Sequence, residues 1–573
     1  MSTLADVKDA TARTRDTWIF WGMALLMIGV GLGLRDPWPA DEPRFALVAK
    51  QMVESGDWLF PHRGHELYAD KPPMLMWLQA VLLKATDEMR IAFLLPSLIA
   101  ALGTLALVRD LGTRLWNRQT GIWAGWMLLV ALQFTYQAKK AQIDPLVTFF
   151  ITLANYGLLR HLLTGPSWRW WWIGWAAAGL GTITKGVGAL ALLMLVPAIV
   201  LSLRGKHVQL HARRWQFWFG PVMFFAAIAV WLVPMVLAVH ARNAPEYTAY
   251  MNNILFKQTA KRYAASWHHV QPWWYFIEVV ITQWLPLSLA LPWVLPRWVE
   301  RFKARDARFI LPLAWIVLML LFFSIPAGKR DVYILPALPM FALVLAPFAD
   351  ALMQRAGLRR LLAAFALIVT AVLLVAGGML AFGTPKFELK LVADRGLASG
   401  DALGWMLLAM GAAGVLSCAL FIRRNAAIAV FGVFAGVWML YGVLGYPILN
   451  DSSSSRGLMQ EVSAKIGPDA ALGMVGWKEQ NLLMAGRPAE TFGFTPDAEK
   501  ALDQADKGIA WAIQDPEHRW LLIQDISTPD CIPVEKREAL QNANRRGWWL
   551  VKGDALSACS QLQKPANTMR SGF

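Results

Sequence analysis

Acidic and basic side chains stand at intervals in five segments of an otherwise strongly apolar sequence. Asp41, Glu42 and Arg44 lie in "ADEPRFA", Tyr68, Asp70 and Lys71 in "YADKPP", and Lys139, Lys140 and Asp144 in "YQAKKAQIDP". Lys185 lies in "TITKG", and Lys329, Arg330, Asp331 and Tyr333 in "IPAGKRDVYILP". Lysines and an arginine can hold phosphate oxygens through charge-assisted hydrogen bonds. Where the phosphate is a leaving group, they also neutralise charge as it develops. Carboxylates beside them can orient an attacking hydroxyl or stabilise an oxocarbenium-like sugar carbon. Each charge alone has a bland alternative, as an interfacial anchor at the end of a helix. Five segments that deliver acids and bases to one side of a compact bundle fit a common cationic pocket with one or two carboxylates inside.

The elements that must position these residues are membrane helices. The chain has 573 residues, of which 56% are apolar, 16% are charged and 30 are tryptophan. Long apolar runs recur from residue 18 to about 446, several near the roughly 20 residues that cross a bilayer as helix. The short alternating segments of an outer-membrane barrel are absent. The first run is too long for a signal-peptide core, lacks a clear small-residue cleavage site and leads into further spans, so it reads as retained. Thirteen spans are expected, at 18–34, 89–108, 121–138, 144–160, 170–183, 186–203, 215–239, 276–296, 309–325, 333–349, 361–381, 402–421 and 426–446. With the N-terminus inside, six cytoplasmic turns are arginine-rich, among them Arg109, Arg114 and Arg118, Arg213 and Arg214, and Arg423 and Arg424. That is the positive-inside pattern. The net charge of +16 is therefore mainly topological and does not point to nucleic acid.

Two large segments leave the membrane on the external side, residues 35–88 and 240–275. "PRFALVAKQMVES" and "PPMLMWLQAVLLKA" read as helices lying on the membrane surface, the first with Pro43 at its N-terminus and Trp58 and Trp77 suited to the interface. The organisation expected is a transmembrane catalytic domain over 1–450 and a periplasmic α/β domain over 451–573. In the latter, strands are expected at 471–476, 508–513, 520–523 and 548–551, with helices at 479–485 and 497–505. It contains no glycine-rich phosphate loop or nucleophile elbow, and internal repeats are not evident anywhere. Cys418 lies in a span, while Cys531 and Cys559 share an external segment where a disulfide is permitted but not required.

The order and spacing of "DEPRFA", "DKPP", "QIDP", "TKG" and "GKRDVYILPALP" resemble the bacterial lipid A 4-amino-4-deoxy-L-arabinose transferases. These are C-type membrane glycosyltransferases related to the protein O-mannosyltransferases. The resemblance is strong over roughly 18–350 and continues by layout beyond. It implies a polytopic helical C-type glycosyltransferase fold in the bacterial inner membrane, with active site and C-terminal domain facing the periplasm. It also implies an essential acid at Asp41 with Arg44 as its basic partner, and a second acid at Asp144. Lys71 and Tyr68, together with Lys185, Lys329, Arg330 and Tyr333, are implied around the donor phosphate and lipid. Some relatives tie their external loops with a divalent ion, so Asp70, His268 and His269 are the candidates for a structural zinc site, although their spacing matches no closed zinc motif. No cofactor is expected for the chemistry, and a monomer is expected.

The leading expectation is a transferase that moves a pentose or related sugar from undecaprenyl phosphate to a lipid A phosphate. Chemistry outside the membrane lacks cytosolic nucleotide sugars, so a lipid-phosphate-linked donor is the natural one. The enzymatic alternative is transfer to protein Ser or Thr, where a neutral hydroxyl makes an aspartate base more necessary. A transporter or lipid flippase would carry internal repeats, broken midmembrane helices and deeper charges. Here the charges sit at one mouth.

Overall fold

A computed structural model of the chain describes residues 4–204, 208, 210–256, 269–383, 388–389, 392, 397, 399–495 and 501–561. Among these, eight helices are long and apolar enough to cross a membrane: Met89–Leu115, Ile143–Leu163, Trp215–Arg242, Ala307–Ser324, Asp331–Met353, Ala356–Ala381, Asp401–Phe421 and Ala426–Ser454. A ninth is a pair, Tyr275–Gln283 and Leu287–Lys303, bent by 99°.

Of the four other expected spans, the one at 170–183 is the unbroken helix Trp168–Lys185, which is not apolar enough to count, and the remaining three are interrupted. The expected span at 18–34 begins as the α-helix Leu4–Ala24 and continues as a π-turn over Leu25–Gly29. The one at 121–138 breaks at Ala131, whose extended backbone (ψ 122°) separates Arg118–Val130 from Leu132–Ala138. The one at 186–203 starts as a 3₁₀ helix, Gly188–Met194, before Leu195–Leu203. An apolar run predicts burial in lipid or protein, not an unbroken helix. Where protein surrounds the backbone, its polar groups can be satisfied by other means.

Helix pairing sets the candidate site. Ile143–Leu163 and Trp168–Lys185 form a tight hairpin because glycines meet at their crossing. A Cβ on Gly157 would sit 2.3 Å from the Trp170 carbonyl oxygen and 2.9 Å from the Gly174 Cα. Lys185 ends its helix, and Gly186 closes it in the left-handed conformation (φ 84°). Asp144 lies in the first turn of the partner helix. The antiparallel hairpin thus brings an acid at a positive helix end beside a lysine at a negative one, each favoured by its own helix dipole.

The Glu42–Ser55 helix starts at Asp41 with Pro43 in its first turn, as the sequence predicts, but it does not merely lie on a surface. Phe45, Val48 and Met52 pack with Tyr68, Leu75, Met76, Ile143 and Leu146 of the bundle. Ala46 and Leu47 pack with Leu458, Met459, Trp477 and Leu483 of the C-terminal unit. The helix is held between the two.

The C-terminal unit is built on a five-stranded sheet. β1 (His62–Arg63) and β2 (Glu66–Leu67) form a hairpin in the first loop. β3 (Ala471–Val475), β4 (Ala489–Thr491), β5 (Arg519–Gln524), β6 (Glu538–Ala539) and β7 (Trp548–Lys552) form the sheet in the order β4-β3-β5-β7-β6. β3 runs parallel to β4 and β5, and β7 runs antiparallel to β5 and β6. Contrary to expectation, 508–513 is not a strand but belongs mostly to the helix Leu502–Ala512. Ala505, Ile509 and Ala512 recur at helical spacing and are fully buried against the sheet. Cys531 and Cys559 are joined by a disulfide across the edge of this core.

Candidate active site

Asp41 faces three groups at the end of the bundle nearest the C-terminal unit. Arg44 Nη1 lies 3.5 Å from one carboxylate oxygen, while Gln142 Nε2 (3.5 Å) and Arg330 Nη2 (3.6 Å) approach the other. Two residues after Gln142, Asp144 is in close contact with the Lys185 ammonium. That ammonium lies 5.1 Å from the centroid of the Tyr333 ring, three residues after Arg330. Asp41 and Lys185 are therefore linked twice, through 142–144 and through 330–333. Four distant segments of the chain converge on one cluster of two acids, three cations and an aromatic wall.

The C-terminal unit reaches into this cluster. Glu479 is buried and accepts a hydrogen bond from Arg44 Nε at 2.8 Å, with Arg63 Nη1 at 3.6 Å. Burial alone would lower the Arg44 pKa; Glu479 and then Asp41 overcome it and hold the guanidinium charged. Arg63 lies over the Phe494 ring (3.6 Å) and the Tyr68 ring (5.4 Å). Tyr68 is fully buried, and burial pushes its phenol pKa up. Its hydroxyl has no hydrogen-bond partner among the described residues. Lys71 is half-buried on the loop that also carries Asp70. Glu479 and Arg63 were missed by motif reading. Neither stands in a charged turn of a span, and Glu479 is far in sequence from both arginines it meets.

Other expected site residues are placed elsewhere. Lys329 is expected at the donor phosphate, but it is buried and its ammonium donates to the Pro326 carbonyl (2.7 Å) and the Gln271 carbonyl (3.1 Å). It fastens its own loop. Glu42 is also structural: it binds Arg35 through both oxygens and accepts the Trp38 and Ala141 backbone N–H groups at 2.9 Å each. Lys139 caps the broken end of the first helix, donating to the carbonyls of Met27 (3.1 Å), Ile28 (3.2 Å) and Val30 (2.8 Å).

Of the candidate metal ligands, Asp70 and His269 are described, and each is engaged elsewhere. Asp70 pairs with Arg63 at 3.7 Å, and the backbone carbonyl of the exposed His269 accepts the Lys329 N–H at 2.9 Å. His268 lies outside the described residues. Among the described residues no three His, Cys, Asp or Glu side chains form a group that could hold a metal ion.

A family profile described as dolichyl-phosphate-mannose-protein mannosyltransferase matches residues 70–234. An undecaprenyl phosphate-α-4-amino-4-deoxy-L-arabinose arabinosyl transferase from Pectobacterium carotovorum is 33% identical over 327 residues, 55% of this chain and 55% of that one. A protein of the same name from Pseudomonas aeruginosa is 32% identical over 356 residues, 60% of each chain. The sequence match thus spans little more than half the length of these relatives. The crystal structure of ArnT from Cupriavidus metallidurans bound to undecaprenyl phosphate superposes with a TM-score of 0.71 at 18% identity, covering 93% of this chain and 97% of that one. Its apo form gives a TM-score of 0.72. In sequence over about half its length, and in fold over nearly all of it, this chain is similar to the undecaprenyl phosphate-4-amino-4-deoxy-L-arabinose arabinosyl transferases.

Proposed function

We propose that the chain is an inner-membrane glycosyltransferase that moves 4-amino-4-deoxy-L-arabinose or a related sugar from undecaprenyl phosphate to a lipid A phosphate on the periplasmic face. The observation that carries this reading is the cluster of Asp41, Arg44, Asp144, Lys185, Arg330 and Tyr333 at one end of an arabinosyl-transferase-like bundle. An acceptor phosphate oxygen attacks the anomeric carbon, and the bond from that carbon to the undecaprenyl phosphate oxygen breaks. The electron pair leaves with undecaprenyl phosphate, which the cations stabilise as its charge grows. The acceptor is already anionic, so no strong general base is required. Asp41 then serves to face the oxocarbenium-like carbon and to hold Arg44 and Arg330 in place. Lys185, carried by Asp144 and the Tyr333 ring, is poised to take a phosphate oxygen in exchange for its carboxylate, with Lys71 as a second phosphate-side lysine. The arginine-rich turns support the orientation, and a disulfide in the C-terminal unit suits an oxidising compartment.

A protein hydroxyl acceptor is the second reading, favoured by the mannosyltransferase profile over 70–234. It would require Asp41 or Asp144 to take a proton. Mass spectrometry of lipid A and of envelope proteins from cells with and without the gene separates the two. An aminopentose on lipid A that depends on the gene supports the first reading. A gene-dependent sugar on proteins with unchanged lipid A replaces it with the second.

A further inference from the structure

The reaction brings two lipid phosphates together, and the cations on the segments that meet Asp41 and Asp144 differ in how far their charge is already used. Arg44 is engaged by Glu479 and Asp41, and Arg330 by Asp41. Lys185 is held by Asp144, Lys139 by three carbonyls, and Lys329 by two. Lys140 differs. It is half-buried, and among the described residues its ammonium meets neither a carboxylate nor a carbonyl. It lies instead 3.9 Å from the centroid of the Tyr136 ring, a contact that orients the ammonium and leaves N–H donors directed away from the ring for a further acceptor.

The platform beneath Lys140 belongs to a different part of the bundle from the Asp144–Lys185 pair. Tyr136 is 38% exposed and stacks on Trp438 of the Ala426–Leu440 helix, with centroids 6.2 Å apart. The Trp438 indole N–H has no acceptor among the described residues. Lys185 and Tyr333 belong to the Trp168–Lys185 helix and the 3₁₀ turn Asp331–Ala337. The backbone that carries Lys140 continues directly to Gln142 at Asp41 and then to Asp144. A phosphate on Lys140 is therefore tied to the reacting cluster by one short segment, without competing for the cations that face the donor.

We propose that Lys140, presented on the Tyr136–Trp438 pair, binds a phosphate of the acceptor lipid. This rests on the transfer reaction of the previous subsection and names the residue that selects its acceptor. A lysine contact to a phosphate is a charge-assisted hydrogen bond, and its loss corresponds to about a 10- to 100-fold change in affinity.

The test uses the full-length protein in detergent or vesicles, with Lys140→Met and Lys140→Arg as the pair of variants. Three quantities are measured: binding of phosphorylated lipid A, KM for lipid A at saturating donor, and binding of undecaprenyl phosphate. Lys140→Met should weaken lipid A binding and raise its KM about 10- to 100-fold, leave undecaprenyl phosphate binding within about twofold, and be largely rescued in Lys140→Arg. Unchanged lipid A binding in Lys140→Met overturns the proposal. So does a loss confined to undecaprenyl phosphate, which would put Lys140 on the donor. A wild type that binds lipid A but transfers nothing would sink the transfer reading, while a charge-dependent loss of binding in Lys140→Met would still carry the Lys140 site. A wild type that does not bind lipid A overturns both.

Discussion

Asp36 and Asp41 stand on the same loop and each faces two arginines, yet their surroundings differ at every contact. Asp36 is 1% exposed. Arg456 binds both its oxygens at 2.6 Å, Arg90 binds both at 2.9 and 3.1 Å, and Asn450 adds a donor at 2.7 Å. Burial alone would raise its pKa. The hydrogen bonds from Arg456, Arg90 and Asn450 overcome that and hold the carboxyl well below the usual range. Asp41 has a side chain 20% exposed, and its closest partners stand at 3.5–3.6 Å. The first carboxylate is saturated, and it joins the first loop, the Met89–Leu115 helix and the C-terminal unit. The second is loosely held, which suits the reacting role proposed for it, since catalytic hydrogen bonds are often long until the substrate arrives. Acids a few residues apart can thus divide into anchor and reacting group by how completely their oxygens are satisfied.

The sharpest way to break this division is at Asp41. Asp41→Asn keeps the size of the side chain and removes its charge, so transfer should fall about 100-fold or more while the thermal unfolding midpoint stays put. Turnover near the wild-type rate would return Asp41 to the role of a solvated loop acid. Asp36→Asn should show the opposite profile. It leaves two arginines facing a neutral amide in a buried pocket, at a cost of about 3 kcal/mol, read as a lower unfolding midpoint in detergent. An unshifted midpoint would remove Asp36 from its anchoring role.

The charged residues were legible because charges are conspicuous in an apolar chain, and Asp41, Arg44, Asp144, Lys185, Arg330 and Tyr333 from four of the motifs come together in the fold. Which charges remain available was not. Lys139, Lys140 and Lys329 look alike in sequence, and only the fold shows two of them donating to carbonyls and the third resting on a ring. The hairpin of Ile143–Leu163 and Trp168–Lys185 was readable as two apolar runs, but the glycine crossing that joins Asp144 to Lys185 needs the packing. The stretch 508–513, "GIAWAI", fits short alternation as well as helical spacing; the buried row Ala505, Ile509 and Ala512 decides for helix. Glu479 could not be found, because its partners Arg44 and Arg63 lie more than 400 residues away.

A smaller effect should appear at Glu479, where the anchor-like unit touches the reacting cluster. Glu479→Gln retains the shape but weakens the hold on Arg44 and Arg63. Its kcat should fall about tenfold, in line with a charge-assisted hydrogen bond, with a nearly unchanged unfolding midpoint. A lower midpoint with unchanged kcat would make Glu479 a purely structural link. The smallest effect on transfer is expected from Cys531→Ser. Loss of the disulfide should destabilise the C-terminal unit by about 2–4 kcal/mol, measured as faster proteolysis of that unit, with turnover of the intact protein little altered. Equal proteolysis of variant and wild type would show that the bridge adds no stability.

The most direct test of the account is a single reconstitution. Purified wild type and Asp41→Asn are placed in vesicles with undecaprenyl phosphate-linked 4-amino-4-deoxy-L-arabinose and lipid A, and the lipid A mass is followed in time. Wild type should add one or more aminopentose units to lipid A phosphate, and an equal amount of folded Asp41→Asn should add almost none. Lipid A that keeps its mass with wild type, or gains it as fast with Asp41→Asn, would contradict that expectation.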